Sequence, residues 1–87
     1  MENTIENSLT RTKDFYIACT MKSLGVPLLS VEQGVGNFSV FVFDIDPMGA
    51  DELINKYWSH ELLVDPNLLM TNIHELKARL AQRKSHV

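Results

Sequence analysis

The chain has 87 residues, 45% of them apolar and 22% charged, with a formal net charge of −3. These values fit one small folded domain and exclude a disordered polyelectrolyte, because the apolar content suffices to close a core and the net charge is too small to hold the chain open. The acidic balance excludes general nucleic-acid binding, which draws its affinity from Lys and Arg, and the single cysteine, Cys19, excludes an intrachain disulfide and a multi-thiolate zinc site.

Residues 1–11 are polar around isolated Ile5 and Leu9 and read as an N-terminal arm, which leaves residues 12–84 as a single α+β domain. The opening carries no basic stretch followed by an apolar run, and nowhere do about 20 apolar residues follow one another. The sequence therefore predicts no membrane span and a cytoplasmic protein in a reducing compartment. From Thr12 the spacing predicts a helix, with Thr12 as N-cap, Asp14 in its first turn and Gly25 just past its end. Phe15, Ala18 and Cys19 form one edge of its apolar surface and Ile17, Met21 and Leu24 the other, so the helix is expected to be mostly buried.

Val26-Pro27 then opens an extended segment in which Leu29 and Val31 alternate with Leu28, Ser30 and Glu32. The glycine-bearing turn Gly34-Val35-Gly36-Asn37 leads into a second strand, Phe38 to Phe43, so the two predict an antiparallel hairpin. Successive strand residues point to opposite faces, which puts Phe41 and Phe43 on one side and Phe38, Val40 and Val42 on the other. A lone hairpin cannot cover both apolar faces. The pattern predicts a homodimer formed through the second strand, with Phe38, Val40 and Val42 in self-association, while Pro27 weakens the first strand as a pairing edge.

Asp46-Pro47 has the chemistry of a helix start, an oxygen acceptor followed by a residue with preset φ, and opens a short helix carrying Leu53, Ile54, Tyr57 and Trp58. Asp65-Pro66 repeats it before a longer helix with Leu69, Ile73, Leu76 and Leu80 at helical spacing. The expected fold class is thus α+β, in the order α-β-β-α-α, with a small antiparallel hairpin packed against three helices.

No residue set assembles into catalytic machinery. Asp44, Asp46 and Gly49 match three positions of a calcium loop, but Met48 stands at a ligand position and Asn55 where a bidentate glutamate belongs. His60, His74 and His86 lack metal-ligand spacing, and Cys19 lies on the apolar face of its helix as a core thiol. No cofactor or metal is assigned. Trp58, Tyr57 and His60 form the candidate partner-binding cluster: Tyr57 continues the Leu53/Ile54 stripe toward the core, whereas Trp58, one position round the helix, is the best single contact residue. Lys77, Arg79, Arg83 and Lys84 complement the negative end of the last helix dipole and are also the one possible contact for an anion or nucleic acid.

The stretches Thr12-Lys13-Asp14-Phe15-Tyr16-Ile17-Ala18, Gly25-Val26-Pro27-Leu28-Leu29, Phe41-Val42-Phe43, Tyr57-Trp58, Leu63-Val64-Asp65-Pro66 and Glu75-Leu76-Lys77-Ala78-Arg79 together resemble a family of short proteins of unknown function. Its members are encoded by bacteria, archaea and their viruses. The resemblance covers roughly residues 12–82 and implies the same order of elements and an origin in viral or mobile DNA, but no activity and no catalytic residues. The expected function is a small non-enzymatic interaction protein that self-associates and binds or inhibits a protein partner. Two alternatives stay open: a small ligand or nucleotide held between protomers by Trp58, Tyr57 and the terminal basic residues, and a nucleic-acid-binding dimer using those basic residues alone.

Overall fold

The computed structural model describes residues 9–85, with side chains as far as Gln82. In chain order the elements are β1 (Thr10–Thr12), α1 (Phe15–Ser23), β2 (Leu28–Gln33), β3 (Ser39–Phe43), α2 (Pro47–Trp58) and α3 (Pro66–Ser85). They make a small α+β fold whose antiparallel sheet has three strands in the order β1-β3-β2.

The sheet is therefore not a hairpin. Thr10, Arg11 and Thr12 pair with Phe43, Val42 and Phe41, so two residues assigned to the N-terminal arm belong to the sheet, and residues 1–8 lie outside the described residues. Two β-branched threonines suit a strand, and the Thr10 hydroxyl donates to the Ile45 carbonyl at 2.7 Å, tying the strand's start to the far end of β3. As the central strand, β3 has both hydrogen-bonding edges occupied. Dimerisation by adding a second copy to its outer edge is closed off by the chain's own β1.

β2 joins β3 with a bulge. Leu28 faces Phe43 and Val31 faces Phe41, although three positions separate Leu28 from Val31. A regular strand would put them on opposite faces; one extra residue absorbed at Leu29 brings both to the side of Phe41 and Phe43. Leu29 is exposed and Leu28 packs on the core, the reverse of the alternation expected from the sequence. The opposite face carries Val42 and Val40, whose strand neighbours Arg11 and Glu32 reach each other across β3 at 3.4 Å.

α1 lies at the centre of the core. Ile17, Ala18, Cys19 and Met21 are buried with Phe41 and Phe43 of β3 and Leu76 of α3, while Leu53, Ile54 and Tyr57 of α2 close against Ile17, Thr20 and Met21. This explains an apolar surface covering more than half of the helix. Its N-cap is Asp14, not Thr12: one carboxylate oxygen accepts the Tyr16 and Ile17 N–H groups, each at 3.0 Å, whereas Thr12 is already paired in β1. Gly25, at φ +92°, supplies the left-handed residue that ends it. Both Asp-Pro starts hold, with Asp46 accepting from Gly49 N–H at 3.3 Å and Asp65 from Asn67 N–H at 2.9 Å. A buried polar latch joins α1 to α3: Asn72 donates to the Ser23 hydroxyl at 2.9 Å and accepts from Lys22 Nζ at 2.8 Å. No helix among the described residues is long and apolar enough to cross a membrane.

Candidate functional site

Cys19 is fully buried, and burial pushes its thiol up to about 11, with Lys22 and Lys77 pulling weakly the other way. A protonated, enclosed thiol has neither the charge nor the access of a nucleophile. His60 and His74 are exposed on separate elements, and among the described residues no group of three or more His, Cys, Asp or Glu side chains is placed to hold a metal. The Asp46 carboxylate within the calcium-like stretch is occupied as a helix cap, and Met48 points to solvent.

The exposed aromatic at the end of α2 is a different kind of site. Tyr57 is half-buried against α1, and Trp58 meets its ring edge to face at 5.0 Å while remaining 64% exposed. The chain then reverses tightly: Ser59 N–H returns to the Asn55 carbonyl at 3.0 Å and Glu61 N–H to the Lys56 carbonyl at 2.9 Å. This closure puts His60 at φ +64°, a left-handed conformation that glycine or asparagine usually takes and that costs a histidine about 1 kcal/mol. Trp58 is thus held by a packed ring and a fixed turn.

Two further apolar side chains of residues 44–65, Leu63 and Met48, are exposed, and residue reading did not single them out as contacts. Glu61 to Asp65 connects α2 to α3 outside any helix or strand, with Leu62 and Val64 half-buried and Leu63, between them, 91% exposed. Period-two alternation in that short stretch was the available signal. Met48, in the first turn of α2, is 77% exposed. In the stretch from residue 44 to 65 that holds these apolar groups, Asp44, Asp46, Asp51, Glu52, Glu61 and Asp65 are all exposed, and Lys56 is its single lysine. Residues 44–65 hence carry −5 of the formal charge and the rest of the chain +2.

The other expected residues scatter. Phe38 is exposed, Val40 half-buried and Val42 only 3% exposed, covered within one chain without a second copy. Lys77 and Arg79 are exposed on α3, while the side chains of Arg83 and Lys84 lie outside the described residues. No family model matches the chain, and comparisons with curated proteins and with solved structures find no match either. The resemblance over residues 12–82 is not accompanied by a matching family model, so the interpretation of this surface rests on the chain's own residues.

Proposed function

We propose that this protein is a non-enzymatic protein-binding module that docks a basic partner surface on α2, its C-terminal turn and the connecting segment that follows. The observation that carries the reading is the exposure of Trp58 and Leu63 in a stretch, residues 44–65, that holds six carboxylates and one lysine. Large apolar side chains held rigidly at the surface lose little entropy when a partner covers them, and Trp is the residue most enriched in binding hot spots. The surrounding charge of −5 steers a cationic partner and disfavours acidic ones. The left-handed His60 adds support, since backbone held in a costly conformation tends to mark functional turns.

Self-association takes a changed form in this proposal. Among the described residues the free strand edges are the outer sides of β1 and β2, and β2 follows directly on Pro27 and carries a bulge and Glu32, features that hinder edge pairing. The chain is therefore proposed to meet its partner as a monomer.

The test is capture from the cells that encode the protein, with wild-type and Trp58→Ala/Leu63→Ser baits compared by quantitative mass spectrometry alongside native mass spectrometry of the pure protein. A monomeric wild type whose basic partner disappears from the double variant is the expected result. Identical partner lists for both baits would refute the surface, and a stable dimer dissociated by the double variant would reassign it to self-contact.

A further inference from the structure

A second place on the molecule, remote in sequence from α2, has the make-up of a small-ligand site. Where β1 passes into α1, the ring of Phe15, the buried ring of Phe41 and the side chain of Leu80 wall an open notch of about 150 Å³, and Phe38 forms its rim. Phe15 and Phe41 stand edge to face with ring centres 6.3 Å apart, so the walls are set relative to each other. The backbone that carries Phe38 is also held: its carbonyl accepts from Gly34 N–H at 2.8 Å, and the Gln33 amide closes the intervening turn on the Gly36 carbonyl at 3.0 Å. A Cβ at Gly34 would press on Val40 Cγ2 at 3.1 Å and on the Phe38 carbonyl oxygen at 3.2 Å, so the turn packs closely there.

Among the described residues that line the notch, Lys13 alone is charged. Lys13 Nζ lies 5.1 Å from the centre of the Phe38 ring, and among the described residues it has no carboxylate partner. Asn37 and Ser39 add neutral hydrogen-bonding groups at the mouth. Aromatic walls with one ammonium at the rim suit an apolar group that ends in an anion: the apolar part would cover the 59% of Phe38 left open to water, and the anion would meet Lys13 where the ring and the ligand partly desolvate it. We propose that this notch binds a small aryl or alkyl carboxylate, either a free acid or the C-terminal residue of another chain. The site is independent of the α2 surface, and the two stand or fall separately.

The test is a titration of the isotope-labelled full chain followed by amide NMR shifts, with 3-phenylpropionate, its neutral alcohol and its amine as probes. A ligand of this size is expected to bind in the millimolar range, with shifts concentrated at Lys13, Phe15, Phe38 and Ser39. The alcohol should bind about fivefold more weakly and the amine weaker still, and Lys13→Gln should abolish the preference for the acid. Phe38→Ala, at an exposed position that leaves the fold intact, should weaken all three probes. Equal binding of acid and alcohol would overturn the anion assignment, and shifts absent or spread over the molecule would overturn the site. Tighter binding of Gly-Gly-Phe with a free C-terminus than of its amide and of 3-phenylpropionate assigns the notch to a chain end; the reverse order assigns it to a free acid.

Discussion

Cys19 shows how one residue reports its surroundings. Its thiol is fully buried and its pKa is raised from the ordinary 9.0 to about 11, so the folded chain keeps the proton to higher pH than the unfolded chain does. As pH rises through 9 the unfolded state loses its proton first and gains in population. The stabilisation is complete below that pH and is lost between about 9 and about 11. At most about 2–3 kcal/mol disappears over that window. Thermal unfolding of wild type and Cys19→Ala between pH 7 and 11 checks the sign: the midpoint difference should shift against the wild type only above pH 9. A constant difference would mean that the thiol ionises normally in the fold. The core thiol was legible in the sequence because Ala18 and Thr20 flank it on a helix with apolar residues on two edges. The exposure of Trp58 was not, since a residue one step off an apolar stripe lies at a boundary that only the position of α1 decides.

Elements were legible where their chemistry is local. Asp46-Pro47 and Asp65-Pro66 announce their helices through acceptors and a preset φ that act within three residues, and both caps form. β1 was illegible because Thr10-Arg11-Thr12 has no apolar alternation of its own; its stability comes from partners more than 28 positions away in β3. The bulge was hidden for a related reason: adjacent Leu28 and Leu29 are equally apolar, and only the register with Phe43 decides which faces inward. That register yields a prediction about the strands. Deleting Leu29 leaves Leu28, Ser30 and Val31 opposite Phe43, Val42 and Phe41 in an unbroken ladder, so stability should change by no more than about 1 kcal/mol. Deleting Val42 places Phe41 and Phe43 on opposite faces and should cost at least about 3–5 kcal/mol, enough to unfold a domain this small. Urea unfolding of the two deletions measures both, and equal losses would contradict the bulge.

At the scale of the whole molecule the charge is divided, and three of the exposed apolar side chains, Met48, Trp58 and Leu63, fall in its acidic part. Residues 44–65 bring Trp58, Leu63 and Met48 to the surface among six carboxylates, while the remaining chain is slightly basic. A net charge of −3 conceals this, because the −5 of residues 44–65 and the +2 of the rest partly cancel. A surface of this composition should bind an amphipathic cation even when the natural partner is replaced by a simple surrogate. A 14-residue helical peptide of Leu and Lys supplies both properties, and its Leu and Glu counterpart keeps the apolar face while reversing the charge. Isothermal titration should find binding of the first and none of the second. Raising the salt from 50 to 200 mM should weaken the complex about three- to tenfold, as screening removes attraction between exposed charges. Asp51→Lys/Glu52→Lys should lower the affinity and flatten that salt dependence, whereas Trp58→Ala/Leu63→Ser should lower the affinity and leave the salt dependence in place. The two variants separate steering from docking: if the apolar variant binds as well as wild type, charge alone holds the peptide, and α2 is an acidic face without a contact site.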